Sequence, residues 1–317
     1  MKITGGFTEK TIFKFLLSII IVFFFTVSLI SQEKNMTQII KQNDQYLLKF
    51  KNLEITVDPV TGGRISSLKL GNKEFLITKE TNRFSYGSTF WPSPQSVWNW
   101  PPPNILDRGQ YEVIDSSKKL ILKSKVDNAL GLQFTKEISI SEEDTSIQIL
   151  YSIINTSDKD KKVAPWEITR MSKGGLVFFP KGLTSPKAKS FDPIPYSESN
   201  NILWYKIKKD EELNNHLLSV SDGSEGWLAY AFDGYIFIKS FEDVLPENQA
   251  PGEGELPIYI GSKSQNVEIE VQGPYTNIQP GKELRWKMKW FVREIPGNVK
   301  VETANKELIE FVKSVIN

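Results

Sequence analysis

The stretch from residue 266 to residue 292 limits the fold more than any other, because it reads as two β-strands joined by a turn. In its first half, Val267, Ile269 and Val271 alternate with polar residues. In its second half, apolar residues occupy every other position from Leu284 to Val292. Alternation with a period of two gives a strand one buried face and one outward face. We therefore predict two β-strands joined by a turn here.

The polar face of the first strand is the earliest candidate for a site. It carries Glu268, Glu270 and Gln272, which point the same way because they are two residues apart. One interpretation is a solvated face, which strand periodicity alone favours. The other is a floor of acids and amides beneath a polar ligand. The alternation by itself leaves both open.

Strand-like runs fill most of the chain, and turns rich in Gly, Pro, Asn and Asp separate them. Asp233-Gly234 is a strong two-residue hairpin signal. Only the C-terminal end, with Leu308, Phe311 and Val315 at helical spacing, predicts a helix. The pattern predicts an all-β protein, a large antiparallel β-sandwich with a short C-terminal helix. The predicted strands are residues 46–50, 53–57, 64–70, 74–77, 119–125, 132–140, 146–154, 163–170, 175–179, 227–232 and 235–241.

The two predicted strands of residues 266–292 also carry a motif. Ile269-Glu270-Val271-Gln272, a short loop, the turn Pro280-Gly281-Lys282-Glu283 and a tryptophan-containing strand resemble the C-terminal part of aldose 1-epimerases, or galactose mutarotases. The likeness runs from about residue 53 onward and is greatest to a bacterial family of unassigned function within the galactose-mutarotase-like superfamily. It implies a large antiparallel β-supersandwich and makes Glu270 the expected catalytic base. Related sugar-binding domains without epimerase activity share the motif.

The segment from Tyr86 to Pro103 holds Trp91, Trp98 and Trp100 among five prolines. Proline is excluded from central strands, so we expect a rigid loop. Exposed indoles match the apolar C–H faces of sugars, and Gln95 is placed to bond ring hydroxyls. The alternative is that these rings cap one end of the sandwich, and the two interpretations can hold for different rings.

Polar residues inside and just after this tryptophan segment extend the candidate site. Asn99 is a second amide for ring hydroxyls, and Asp107 and Arg108 follow the segment immediately. We expect these side chains to line the same edge as the tryptophans.

The segment from Asn155 to Met171 departs from the mutarotase pattern. In that family a comparable turn and strand end in a His that serves as general acid, whereas this chain has Trp166, Glu167 and Arg170 there. Ring opening needs a proton taken from the anomeric hydroxyl and another given to the ring oxygen. Glu167 is the provisional acid if the fold places it beside Glu270, with Trp166 and Arg170 as ligand contacts. The alternative is that Glu167 and Arg170 belong to cross-strand ion pairs.

Weaker candidates come from the rest of the resemblance. Related mutarotase-like domains carry a Lys in a strand like the one ending at Lys239 and an acid before the terminal strand pair. The resemblance therefore implies ligand contacts for Lys239 and Glu255, and for Gln272 of the motif. His216 is interpreted first as a surface or structural residue and is assigned no role.

The N-terminal end predicts export. Residues 1–31 combine a lysine-rich flank with an apolar run, and residues 15–32 contain no charge, so we predict a signal peptide or an uncleaved membrane anchor. Residues 32–45 are expected to be a linker, and residues 46–317 the mutarotase-like domain. The absence of cysteine suits a bacterial periplasm or cell surface. Membrane contact is expected only through an uncleaved N-terminal segment.

The amino-acid composition excludes several classes of binding partner and cofactor. With 39 basic and 38 acidic residues, the net charge of +1 gives no field that favours nucleic acid. One His and no Cys exclude zinc fingers, iron–sulfur clusters and disulfide frameworks, and we predict no metal site and no cofactor. The expected partner is a mono- or oligosaccharide. The function is interpreted as aldose epimerase-type proton transfer with Glu270 as base. The alternatives are a non-catalytic glycan-binding protein, a glycoside hydrolase or lyase, and a structural envelope protein.

Overall fold

The computed structural model describes residues 36–210 and 213–317, which form two large β-sheets packed face to face. The predicted all-β sandwich with a short C-terminal helix is confirmed. Apart from one short parallel pair, β13 (Asp192–Pro193) beside β16 (Leu217–Ser221), the paired strands of the described ranges run antiparallel. Antiparallel sheets of this kind bury one face and leave the other free for a site.

The first sheet has 12 strands and carries the candidate site. Its spatial order is β1-β2-β3-β4-β6-β11-β20-β19-β16-β13, with β5 beside β4 and β21 beside β11. Its other strands are β1 (Gln38–Gln42), β2 (Gln45–Phe50), β3 (Leu53–Asp58), β4 (Arg64–Leu70), β5 (Lys73–Glu74), β6 (Ser88–Ser93), β11 (Lys161–Ser172), β19 (Leu256–Ile260), β20 (Asn266–Gln272) and β21 (Thr276–Ile278).

The second sheet has 10 strands in the order β14-β15-β12-β17-β18-β22-β10-β9-β8-β7. These are β7 (Glu112–Asp115), β8 (Leu120–Lys123), β9 (Leu132–Ser141), β10 (Ser146–Asn155), β12 (Leu176–Pro180), β14 (Ser197–Ser199), β15 (Ile202–Lys206), β17 (Trp227–Phe232), β18 (Tyr235–Phe241) and β22 (Glu283–Glu294). The helices are α1 (Asn104–Asp107) and α2 (Lys306–Ile316), with 3-10 turns at Gln95–Val97 and Pro246–Asn248.

The main core lies between the sheets, and strand alternation builds it. On β20, Val267, Ile269 and Val271 are fully buried against the second sheet, as the sequence predicts. On β22, Trp286 and Trp290 point to the same core. Both predicted strands are present, and they do not pair with each other, because β20 belongs to the first sheet and β22 to the second.

Helix α2 covers the outer face of the second sheet. Leu308 and Val312 are fully buried against that face, where they join a cluster that includes Trp204, Trp227 and Phe291. The side chain of Asn305 caps the helix by accepting the backbone N–H groups of residues 307 and 308. Within the described ranges, no helix is both long and apolar enough to cross a bilayer.

Two local predictions were wrong. Residues 38–42, expected in a linker, form β1, which pairs with β2 at the edge of the first sheet although four of its five residues are exposed. Residues 88–93, expected in a rigid loop, form β6, and Pro92 lies inside it. Because β4 pairs with β6 only at Ser88, the strand has one neighbour around Pro92, and proline is tolerated there as at a sheet edge. The predicted N-terminal signal or anchor, residues 1–31, lies outside the described residues.

Candidate functional site

A cleft with a volume of about 720 Å³ lies on the face of the first sheet that points away from the core. Five neighbouring strands form its floor, in the order β6, β11, β20, β19 and β16. Parity along each strand decides which side chains enter it, because alternate residues point to opposite faces. The tryptophan segment that follows β6 forms one wall. The loop around Phe191, which precedes β13, forms the other.

Two carboxyl groups lie at the centre of the floor. Glu268 and Glu270 are two residues apart on β20, so their Cα atoms are about 7 Å apart on one face. The Arg170 Nε atom lies 3.1 Å from Glu268 Oε1, and Ser85 Oγ donates to the same oxygen. The Trp166 indole N–H donates to Glu270 Oε2 across 2.7 Å. The two carboxyl groups therefore have different partners, one a guanidinium and the other a neutral indole.

The two carboxyl groups also differ electrostatically. Glu270 is 4% exposed, and this burial, with the neighbouring Glu268 carboxylate, raises the pKa of Glu270 well above its ordinary value. The Trp166 hydrogen bond and the Arg170 guanidinium lower the pKa of Glu270, but they oppose the larger effect only in part. The floor therefore places a carboxyl group that favours its protonated form beside a carboxylate paired with arginine.

The tryptophan wall is an edge-to-face cluster. The ring centroids of Trp91 and Trp166 are 5.3 Å apart and nearly perpendicular, and Trp100 lies 6.1 Å from Trp91. Trp91 and Trp166 are mostly covered, whereas Trp100 is 70% exposed at the rim. Trp98 packs behind them at 5.9 Å from Trp91 and donates its indole N–H to Pro92 O. Trp100 is thus the ring most open to a ligand, and Trp98 supports the wall from behind.

Asp107 anchors this wall to the floor. It accepts the indole N–H of Trp91 at 2.7 Å and the Arg108 Nε at 3.2 Å, and the Arg64 guanidinium lies 3.5 Å away. Burial lowers the pKa of Arg64 to about 10. Asp107 and Arg108 line the cleft on the edge where the sequence places them. Three groups of the wall are therefore held by one buried carboxylate.

The opposite wall is a second aromatic group, made of Tyr259, His216 and Phe191. The rings of His216 and Tyr259 are stacked at 5.7 Å, and Phe191 lies 5.9 Å from each of them. His216 Nδ1 lies 2.7 Å from the Tyr259 hydroxyl and accepts the backbone N–H of Ser262 at 3.3 Å. Since that N–H can only donate, the neutral imidazole carries its proton on Nε2. The sequence analysis gave His216 no role, and the structure places it at the cleft.

A bridge joins the two walls. Glu253 accepts the backbone N–H of Gln95 from the tryptophan segment at 3.2 Å, and its other oxygen pairs with Lys189 Nζ at 2.6 Å. Lys189 belongs to the loop of the opposite wall. Gln95 therefore lies in the cleft as expected, but its backbone is engaged by a carboxylate that the sequence analysis did not single out.

Glu167 lies on the core side of β11, so the expectation that it stands beside Glu270 was wrong. Its neighbours Trp166 and Arg170 point into the cleft, whereas Glu167 is fully buried and accepts Ser88 Oγ and Thr169 Oγ1, each at 2.6 Å. It forms an ion pair with Lys239, which reaches from β18 and also donates to a backbone carbonyl of β20. The expected ligand contact of Lys239 was wrong for the same reason.

Gln272 and Glu255 are also enclosed by protein. Gln272 is 3% exposed and accepts the Ser93 hydroxyl. Glu255 is 1% exposed and accepts the backbone N–H groups of Gly223 and Val244, and burial raises its pKa to about 8. Neither side chain lines the cleft, so their expected ligand contacts were wrong.

The structure therefore brings together most of the predicted site residues. Those that line the cleft are Trp91, Gln95, Asn99, Trp100, Asp107, Arg108, Trp166, Arg170 and Glu270. Residues that line it without having been predicted as site residues are Phe191, His216, Glu253 and Tyr259. Glu268 also lines it, on the polar strand face that it shares with Glu270. In the part of the chain that the structure describes, no group of three or more His, Asp or Glu side chains is arranged to hold a metal ion.

Comparison with known families identifies the chain. The sequence profile of a domain of unknown function, DUF4380, matches residues 93–293, which is more than half of the 317 residues. The chain belongs to the DUF4380 family. The matched region contains the Glu268/Glu270 pair and most of the lining of the cleft, so the site lies mainly within the DUF4380 domain. No curated protein matches this DUF4380 sequence.

Solved structures relate the DUF4380 fold to galactose mutarotases. A TPR-domain containing protein from Parabacteroides distasonis aligns with 82% of this chain at 14% identity and a TM-score of 0.58, and the chain spans about half (49%) of that protein. A galactose mutarotase-like protein from Lactobacillus casei aligns over 81% of this chain and 100% of its own length, at 11% identity and a TM-score of 0.56. A galactose 1-epimerase from Lactobacillus acidophilus aligns over 82% of this chain and 99% of its own length, at 11% identity and a TM-score of 0.51. The resemblance to galactose-mutarotase-like proteins is thus confirmed for the fold.

Proposed function

We propose that this protein binds a saccharide in the cleft and transfers protons between the sugar and the Glu268/Glu270 pair, as in the interconversion of aldose anomers. The observation that carries the proposal is the pair itself. It joins a carboxyl group whose pKa is raised and a carboxylate paired with arginine, on one strand face beneath aromatic walls. Such an arrangement supplies an acid and a base at the same time.

The roles follow from the protonation states. In ring opening, the Glu268 carboxylate takes the proton of the anomeric hydroxyl while Glu270 gives its proton to the ring oxygen, so that the bond between the anomeric carbon and the ring oxygen breaks and a carbonyl forms. Ring closure runs the same transfers backwards, and Glu270 is then the base. The resemblance to mutarotases implies Glu270 as base, and in this proposal that role belongs to the closing direction.

A glycan-binding function without catalysis is the second candidate. Its support is that the charged side chains around the pair already have partners: Arg170 with Glu268, Lys189 with Glu253, and Arg108 with Asp107. In that case the protonated Glu270 donates a hydrogen bond to a sugar hydroxyl, and the aromatic walls supply the contact area.

One experiment separates the two candidates. Anomer exchange of glucose, galactose, mannose and xylose is followed by two-dimensional exchange NMR with wild type, Glu270→Gln and Glu268→Gln. The exposed Glu143→Gln, in the turn after β9, serves as control. We expect exchange above background in wild type and the control, and a loss of about 100-fold or more in both site variants. Binding of a sugar without exchange supports the second candidate, and neither binding nor exchange contradicts both.

We also propose that the protein is exported to the periplasm or cell surface through residues 1–31. Support comes from the lysine-flanked, uncharged run of the sequence. Mass spectrometry of the protein isolated from bacterial membranes and from the periplasm tests this. A mature chain that begins near residue 32 indicates cleavage, an intact chain in the membrane fraction indicates an anchor, and an intact chain in the cytosol contradicts export.

A further inference from the structure

The cleft has two aromatic groups, and their outer members are too far apart for one sugar ring. Trp91 lies on β6 and His216 lies directly before β16, and β11, β20 and β19 separate these two strands. Four strand spacings of about 4.8 Å correspond to about 19 Å along the sheet. The inner members, Trp166 on β11 and Tyr259 on β19, are only two spacings apart, about 10 Å, with β20 between them. A single pyranose ring over Glu270 can touch these inner rings, but it does not reach His216 at the far edge.

The volume of the cleft points the same way. At about 720 Å³ it lies well inside the range of roughly 300–1,000 Å³ that holds drug-sized ligands. A monosaccharide has only a dozen heavy atoms and leaves much of this space to water. Exposed apolar rings at both rims, Trp100 at 70% and Phe191 at 42%, show that the lining continues well beyond the acid pair.

The second wall is built to present a hydrogen-bond donor. His216 is held by its stack on Tyr259 and by the two contacts at Nδ1. Its Nε2–H is consequently oriented by Tyr259, a positioning residue, and is the proton-bearing nitrogen of the ring. An aromatic face beside a fixed N–H donor suits a second pyranose ring, because stacking covers its C–H face and the donor meets a hydroxyl.

We infer that the cleft binds a saccharide of at least two units, with one ring at the Glu268/Glu270 pair beside the tryptophan wall and the next ring against the exposed sides of Phe191 and His216. This inference rests on the proposed function, since it names the substrate class of the same site. The bridge from Glu253 to Gln95 and Lys189 joins the two walls. A glycan chain cannot pass between the walls where this bridge lies, which favours a short oligosaccharide over the interior of a polymer.

Calorimetric titration of the purified protein tests the inference with sugars of one, two and three units from the cello-, malto-, galacto- and chito-series. In the preferred series we expect the disaccharide to bind about tenfold more tightly than its monosaccharide, the value of one well-formed ring contact. Phe191→Ala and His216→Ala, both at exposed positions, reduce that ratio towards one. Tyr259→Phe keeps the ring but loses the hydroxyl at Nδ1, so its effect is smaller.

Tyr196→Ala is the matched control, because Tyr196 is an exposed aromatic residue that packs at a tilt against Tyr205 and does not line the cleft. It leaves the ratio as in wild type. If monosaccharide and disaccharide bind equally in every series, or if Phe191→Ala weakens both to the same degree, the second position is wrong while the saccharide proposal stands. If no sugar of any length binds, both are wrong.

Discussion

Breaking the buried ion pair between Glu167 and Lys239 is expected to cost much of the stability of the fold. Both side chains are 0% exposed, one on β11 of the first sheet and the other on β18 of the second, so the pair ties the sheets together. Two unit charges at about 4 Å attract by about 4 kcal/mol at an effective dielectric constant of about 20. Removing one partner also leaves the other charge buried without compensation.

We predict that Glu167→Gln and Lys239→Met each lower the free energy of unfolding by about 3–5 kcal/mol, the range for breaking a buried pair. Gln keeps acceptors for Ser88 and Thr169, so the loss in Glu167→Gln isolates the charge. The double variant costs less than the sum of the two by about 2–3 kcal/mol, because no unpaired charge remains.

Urea denaturation followed by tryptophan fluorescence measures these four proteins, and Glu198→Gln is the control. Glu198 pairs with Lys181 at the surface, where the loss is below about 1 kcal/mol. A loss of that small size in Glu167→Gln would refute the reasoning, as would full additivity in the double variant. Loss of anomer exchange in a fully stable Glu167→Gln protein would instead return Glu167 to the site.

Three further predictions concern pH and the floor of the cleft. Burial lowers the pKa of Lys136 from 10.5 to about 7, so between these two pH values the unfolded chain binds more protons than the folded protein. The free energy of unfolding therefore rises with pH in this range, by up to about 1.4 kcal/mol per pH unit. Unfolding curves of Lys136→Met, measured from pH 7 to 10, should lack this rise. Glu255 affects stability in the opposite direction, because burial raises its pKa from 4.5 to about 8. The stabilisation that it gives the folded state is fully present below pH 4.5 and is lost as the pH rises to 8. Glu255→Gln should remove this decline in the free energy of unfolding. Trp166→Phe deletes the hydrogen bond that lowers the pKa of Glu270. In the pH profile of anomer exchange, the fall in rate at high pH should therefore move to higher pH, and the maximal rate should be about tenfold lower. A fall at the same pH as in wild type would contradict the assignment of Glu270 as the acid.

Alternation predicted β9, whose side chains alternate between buried and partly exposed over residues 132–141. The turn signal Asp233-Gly234 located β17 and β18, which span the predicted residues 227–232 and 235–241, although β17 is buried throughout. β6 and β19 are also almost entirely buried and show no alternation, and Pro92 in β6 favoured a loop. Their faces are covered by the core on one side and by the site on the other, and the sequence gives no sign of the second cover.

Strand alternation also decides how much of the candidate site could be predicted from the sequence. Parity along β11 puts Trp166 and Arg170 on one face and Glu167 on the other, and strict strand alternation already implies this from the sequence. The partner of Glu270 was likewise available in Glu268, two positions earlier. His216 had no such signal, because its place depends on packing against Tyr259, 43 residues later in the chain.

The central claim is that Glu268 and Glu270 differ in protonation at neutral pH, and ¹³C NMR titration of the glutamate side-chain carboxyl carbons tests it directly. In wild type, the Glu270 signal should remain that of a protonated acid far above pH 4.5, and in Glu268→Gln its midpoint should fall, because a neighbouring negative charge is gone. A Glu270 signal that titrates near pH 4.5 in both proteins would contradict the account.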